Sequence, residues 1–212
     1  SYQFNQGFSQ PTTVPDLANA RQYAEMLNDL SVYELPTSQW QAASDAYKAT
    51  GAYGDRTAPY SPEDLELYSN GSDPWGHPDT DWYGETLKKW SPQSKHNIQL
   101  IGGGENVKYM TSLGYQKQDA YYKNSATGYE QYNLRINLDA NINKYVDMQI
   151  GAALREEFRH YPTQSAGAIF RMSMRGKPNQ PAFWPNGKPG PDIENGQNPV
   201  VVTTDLTGYD RD

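Results

Sequence analysis

Alternation constrains this chain more than any other feature. From Tyr132 to Ile142 every even position is apolar or aromatic, and every odd position is Asn, Arg or Asp. A period of two puts neighbouring side chains on opposite faces of a strand, one greasy and one wet. The wet face carries ionic and amide groups, which suits a strand of a transmembrane β-barrel with lipid on one side and a watery lumen on the other. At about 3.3 Å per residue and a tilt of roughly 45°, the segment rises about 25 Å, the height of an outer-membrane apolar band. Tyr132 and Tyr145 then lie near the two margins, where aromatic girdles sit.

The pattern runs through short segments between His96 and Phe158. Val146, Met148, Ile150, Ala152 and Leu154 oppose Asp147, Gln149, Gly151, Ala153, Arg155 and Glu157. Ile98 and Leu100, then Val107, Tyr109, Leu113 and Tyr115, oppose Lys108, Ser112 and Gln116. Paired strands must keep their apolar residues on one side, so each turn is a check on the pattern. A two-residue primed turn at Gly103-Gly104 pairs Leu100 with Val107 and Ile98 with Tyr109, and glycines suit its positive φ angles. A three-residue loop, Asn143-Lys144-Tyr145, pairs Ile142 with Val146, Leu138 with Ile150 and Leu134 with Leu154. The expected fold is mainly β: an antiparallel meander from a transmembrane β-barrel, with a large, partly helical extracellular insert.

Composition fits. Hydrophobic residues make up only 36% of the chain, yet there are 17 tyrosines, and the mean hydropathy is -0.90. Low hydrophobicity alone suggests disorder, but disorder does not bring this many aromatics or this alternation. A membrane barrel hides its hydrophobicity because half of each strand faces water. No apolar run is long enough for a transmembrane helix. The net charge of -7 lacks the basic signature of nucleic-acid binders. Cysteine is absent, which excludes disulfides and thiolate metal sites. With neither an initiator Met nor a signal peptide, the chain reads as a segment of a longer exported protein.

Along the chain, residues 1–9 read as a first barrel strand. Residues 10–94 read as an extracellular insert with helical patterns at 17–30, 39–49, 62–68 and 81–90. Ser61-Pro62-Glu63-Asp64 is a helix start, with Ser as N-cap and Pro at the first position, and Asn70-Gly71 closes that helix. Residues 95–159 form two hairpins and 160–198 a long outer loop with a helix at 166–175. Residues 199–212 read as a further strand, beginning with Val200–Leu206, and the start of the next loop. Short turns at one end and long loops at the other are the asymmetry of bacterial outer-membrane barrels.

Several segments carry a family resemblance. Pro11-Thr12-Thr13-Val14-Pro15-Asp16-Leu17, Tyr60-Ser61-Pro62-Glu63-Asp64-Leu65-Glu66-Leu67, Asn70-Gly71-Ser72-Asp73-Pro74 and Asp79-Thr80-Asp81-Trp82-Tyr83 resemble the SusC/RagA family of TonB-linked outer-membrane proteins. So do Lys95-His96-Asn97, Gly102-Gly103-Gly104-Glu105 and residues 132–140. The resemblance implies the first stretch of the barrel of a TonB-dependent nutrient importer in the outer membrane of a Gram-negative bacterium of the Bacteroidota, with the plug and the TonB-contacting region outside this segment. It also implies an oligosaccharide or peptide substrate and a SusD-like surface lipoprotein as cap.

Candidate chemistry is sparse. The glycine run lacks the Lys-Ser/Thr ending and following helix of a phosphate loop. Glu156 and Glu157 are adjacent on a strand, point to opposite faces and cannot converge on one glycosidic bond. Asp79 and Asp81 sit among turn formers. His77, His96 and His160 lack metal-ligand spacing. The residues indicate no catalytic, cofactor or metal site, and no enzyme. Trp75, Trp82, Tyr83 and Trp90 can stack on a solute or fill a partner's pocket, although a small core of the 10–94 segment accounts for them more simply. Arg135, Asp139, Arg155 and Glu157 are expected to project into the lumen, as a solvated polar network against the plug in preference to direct contacts with the solute. The rival reading is a secreted β-rich carbohydrate-binding module, whose alternating face would pack on a second sheet.

Overall fold

The alternating segments form strands of one antiparallel sheet. The computed structural model describes residues 1–53, 56–125, 127–194, 196–204 and 206–211. Gly54, Asp55, Ala126 and Asn195, in expected loops, and Asp205, in the expected strand 200–206, lie outside the described residues, as does Asp212. In chain order the elements are β1 (Tyr2–Ser9), α1 (Ala20–Val32), α2 (Trp40–Thr50), β2 (Ala52–Tyr53), β3 (Arg56–Thr57), α3 (Pro62–Asn70) and α4 (Trp82–Thr86). Then come β4 (Ser91–Gly103), β5 (Val107–Asp119), β6 (Gly128–Asn143), β7 (Val146–Pro162), α5 (Ala166–Arg175), α6 (Pro199–Thr204) and β8 (Leu206–Arg211). The sheet order is β1-β4-β5-β6-β7-β8, while β2 and β3 form a separate ribbon.

Register separates what alternation can and cannot specify. Leu138 pairs with Ile150 and Leu134 with Leu154, as the hairpin argument requires. The turn itself differs. Asn143 pairs with Val146 across Lys144-Tyr145, and a register shift between Asn141 and Asn143 leaves Ile142 without the Val146 partner expected for it. The first hairpin is offset further. Leu100 faces Thr111 and Ile98 faces Leu113, not Val107 and Tyr109. The tip lies at Glu105-Asn106, where Gly104 N–H donates to Val107 C=O at 2.7 Å. The offset is an even number of residues, so every apolar residue stays on its expected face. Gly103 has a different use from the one expected: at φ +150° its Cβ would collide with the Val107 carbonyl, so glycine permits a close approach of the two strands.

The chain divides into two compact units. Residues 1–13, 87–165 and 203–212 form the sheet unit; residues 14–86 and 166–202 form the helical unit. Two excursions expected as separate loops thus fold together. Helix α1 begins with a capping box: the Asn19 carboxamide oxygen accepts from Gln22 N–H at 2.8 Å, and the Gln22 side chain accepts from Asn19 N–H at 3.1 Å. Its buried residues, Ala20, Ala24, Asn28 and Val32, recur every fourth position, the spacing of one helical face. Helix α3 has Ser61 as N-cap in a box with Asp64, Pro62 in its first turn and Gly71 at φ +63° as C-cap. These are the boundary signals read from the sequence.

A short polar hub ties α1, α2 and the stretch before α3. The buried Asn28 amide donates to Tyr60 C=O at 2.9 Å and accepts from Tyr60 N–H at 2.9 Å. The Tyr47 hydroxyl also donates to Tyr60 C=O, at 2.8 Å. Burying the amide is affordable because its hydrogen-bonding atoms are paired.

The expected strand at 200–206 requires a correction: residues 199–204 are helical, and the strand begins at Leu206. The β-branched run Val200-Val201-Val202-Thr203-Thr204 favours strand, but local capping overrides it. The Asn198 side chain accepts from Val200 N–H at 3.0 Å, its carbonyl accepts from Val201 N–H at 3.0 Å, and Pro199 is preorganised for a first helical turn.

Candidate functional site

The sheet has two chemically distinct faces. On one, successive cross-strand rows read Tyr2-Ile98-Leu113-Leu134-Leu154, then Leu100-Thr111-Ile136-Ala152, then Gly102-Tyr109-Leu138-Ile150. Leu100 is 60% exposed and Leu154 64% exposed. Contiguous apolar surface left uncovered marks a face whose partner is not water.

An aromatic belt crosses one margin of that face. Phe4 and His96 rings lie 4.8 Å apart, His96 and Tyr115 6.0 Å, Tyr115 and Tyr132 4.9 Å, and Tyr132 and Phe158 6.3 Å. The Tyr2 hydroxyl and His96 Nδ1 are 2.8 Å apart. Five strands contribute, although in the sequence these rings are scattered over more than 150 positions. From Tyr132 down to Ala140 the strand runs about 26 Å, or about 20 Å along the normal at a tilt of roughly 40°. Tyr145, expected at the other margin, is exposed at the hairpin tip.

The opposite face is polar. Gln131, Asn133, Arg135, Asn137 and Asp139 alternate along β6 with the apolar set, and cross-strand pairing sets Gln131 opposite Glu157, Asn133 opposite Arg155, and Asp139 opposite Gln149. The expected polar residues Arg135, Asp139, Arg155 and Glu157 therefore share this face. The Glu157 side chain is only 5% exposed and is gripped by Arg155 and by Arg159, the latter at 2.6 Å. Arg159 also lies over the Tyr129 ring, 5.7 Å from its centroid. Tyr129 donates to Gln131 at 2.7 Å and Gln131 to Asn133 at 2.8 Å, forming a ladder along the strand. Arg159 was not singled out in the sequence; its spacing of two from Glu157 on a strand was the available signal. One apolar pair, Ile101 opposite Met110, interrupts the polar face.

The four aromatics considered as contacts do not behave alike. Trp82 is 1% exposed and Tyr83 is buried. The Trp82 indole N–H donates to Lys177 C=O at 2.9 Å, and Tyr83 packs on Phe170 at 4.9 Å between centroids. Both serve the core of the helical unit. Trp75 is exposed in that unit and Trp90 in the sheet unit. The carboxylates weighed for catalysis have structural tasks: Asp79 accepts from Ala20 N–H at 2.7 Å, and Asp81 accepts from Gly84 N–H at 3.0 Å.

His77 belongs to a cluster that sequence spacing did not indicate. Its Nδ1 lies 2.8 Å from Asp73 and its Nε2 2.9 Å from Asp64, with the Tyr68 ring against it edge-on. Hydrogen bonds to Asp64 and then Asp73 raise the imidazole above its ordinary value. Asp64 is held low, first by the Ser61 backbone N–H and then by His77; Asp73 is held low by His77 and then by Gly76 N–H.

A two-faced open sheet with an aromatic belt is a section of a barrel wall, and known proteins agree. No protein-family model matches the chain. It is 27% identical over 157 residues to TonB-dependent receptor P26 of Formosa agariphila, a match that covers 74% of this chain and 14% of that receptor. The chain is similar in sequence to a TonB-dependent receptor. Its fold matches the RagAB peptide importer in the closed-closed state, with a TM-score of 0.53 and 16% identity over 94% of this chain and 23% of that one. A second structure, of the RagAB peptide transporter, gives 0.54 over the same shares. The chain thus spans 14% of the curated receptor's length and 23% of each matched RagAB chain. The mainly antiparallel fold is that of the matched part of the RagAB structures, in agreement with the SusC/RagA resemblance of the motifs.

Proposed function

We propose that this chain is a wall section of an outer-membrane, TonB-dependent importer of oligosaccharides or peptides. The apolar face with its belt lies against lipid; the polar face lines the lumen. Short turns at Glu105-Asn106 and Lys144-Tyr145 face the periplasm, and the long connections at 10–94, 119–130 and 160–198 face outside, where a SusD-like lipoprotein caps the pore. TonB engages a region of the full-length protein beyond this segment, and the segment performs no chemistry of its own. The observation that carries the reading is the uncovered apolar face bounded by aromatic rings, opposite a face of amides and ion pairs. A secreted binding module needs a second sheet against that apolar face, and the only other sheet among the described residues is the two-stranded β2–β3 ribbon.

A spin-label scan of the full-length protein in native-like membrane tests this. Accessibility to oxygen is expected to peak at 134, 136 and 138, and accessibility to a polar relaxant at 135, 137 and 139. Shielding of the even positions from both reagents would place them in a protein core and reject the lipid-facing assignment.

A further inference from the structure

The polar face is not evenly charged. Arg135 and Arg155 are diagonal neighbours, because Asn133 pairs with Arg155 and Arg135 with Ala153. Arg159 lies two pairs beyond Asn133, opposite Tyr129. Arg155 and Arg159 meet one carboxylate, Glu157, while Arg135 stands on the diagonal from Arg155, so these four residues sum to a charge of +2 (three Arg less one Glu) in a chain of net charge -7.

We infer that Arg135, Arg155 and Arg159 form a binding site for an oxyanion carried by the imported solute. This rests on the importer reading, which makes their face the lumen wall. None of these arginines stands directly opposite another, but the diagonal places long side chains such as Arg135 and Arg155 within reach of each other, and their like charges repel. Glu157 offsets only part of the repulsion. It is nearly buried, and it holds Arg155 and Arg159 from either side along β7. Arg155 is nevertheless 61% exposed and Arg159 50% exposed. Each guanidinium has five donors in a fixed fork, so donors remain for a second acceptor after Glu157 is served. Arg135 is exposed and makes no ion pair among the described residues. Arginine forks match carboxylate, sulfate and phosphate groups in two-point geometry. The solute class is therefore acidic: a uronic-acid or sulfated oligosaccharide, or an acidic peptide. An oxyanion could also come from an acidic side chain elsewhere in the full-length protein, and the experiment separates the two.

The test uses the full-length protein in detergent and calorimetric titration with two matched pairs of solutes. One pair is an oligogalacturonate and its methyl ester; the other is a glutamate-containing peptide and its glutamine counterpart. In at least one pair the acidic member is expected to bind about tenfold tighter at low salt, with the preference shrinking as salt screens it. Arg135→Gln should reduce that preference without disturbing an ion pair. The triple variant Arg155→Gln/Glu157→Gln/Arg159→Gln should abolish it without stranding a buried carboxylate. Equal affinity within both pairs, failure of both acidic members to bind, or a preference that survives the triple variant overturns the proposal. So does a fall in melting temperature in Arg135→Gln with the preference intact, which assigns the oxyanion to the protein itself. The importer reading is judged separately by the spin-label scan, so the two can fail independently.

Discussion

In the helical unit Trp82 is 1% exposed, Ile169 and Ala24 are buried, and even the polar Asn28 is closed off. In the sheet unit Ile98, Leu100, Leu113, Ile150 and Leu154 are all exposed, and a carboxylate, Glu157, is among the side chains shut away. The helical unit thus follows the rule for water-facing folds, apolar inside and paired polar groups where burial demands them. The sheet unit inverts it. The inversion is what the proposed importer wall requires, a sheet between two solvents, lipid and a wet lumen, whereas the helical unit closes a core upon itself.

The largest effect should come from removing the centre of the closed core. Trp82→Ala is expected to cost the helical unit about 3–5 kcal/mol, as for buried tryptophan truncations in general. Hydrogen exchange on the full-length protein should show lost protection in α4 and α5, with β5 to β7 unchanged. Loss of protection in both would mean that the units are not independently stable.

The next effect tests the inversion directly. Ile136→Arg, midway between the belt and Ala140, should destabilise the membrane-inserted protein by about 2–4 kcal/mol, the cost of a cation on the lipid face of a barrel at mid-depth. Asn137→Arg, one residue along and on the polar face, should stay within about 0.5 kcal/mol. Reversible unfolding from lipid vesicles reads both. Equal costs would remove the distinction between the faces.

The smallest effect depends on pH and is confined to the helical unit. His77 is raised, so its contribution is complete below its unfolded value near 6.5 and is lost as pH rises through the higher folded value. Asp64 and Asp73 are lowered, so theirs is complete above about 3.8 and is lost as pH falls through the lower folded values. The cluster should therefore stabilise the loop after α3 most between about pH 4 and 6.5. Hydrogen exchange of residues 61–77, corrected for intrinsic rates, should show protection greater than in His77→Gln inside that window. The difference should fade toward alkaline pH. A constant difference across pH would mean that His77 acts there by packing alone.

The two-faced sheet was legible from residues 132–142 and 146–157 alone, since a period of two needs no tertiary information. The helix starting at Ser61-Pro62 and its end at Gly71 were equally local, because caps are satisfied within a few residues. Arg135, Asp139, Arg155 and Glu157 could be assigned to one face by parity. Their grouping around Glu157 could not be read in that way, because it depends on which strand residues stand opposite. The first hairpin shows why: moving its tip from Gly103-Gly104 to Glu105-Asn106 preserves every face while changing every partner. The aromatic belt needed the register of five strands, and the His77 cluster needed α3 and the loop after it to meet. At 199–204 the β-branched run spoke for strand until the Asn198 cap decided for helix. Periodicity and capping are short-range and belong to the sequence itself. Register, belts and clusters depend on contacts between distant segments, which only the folded chain selects.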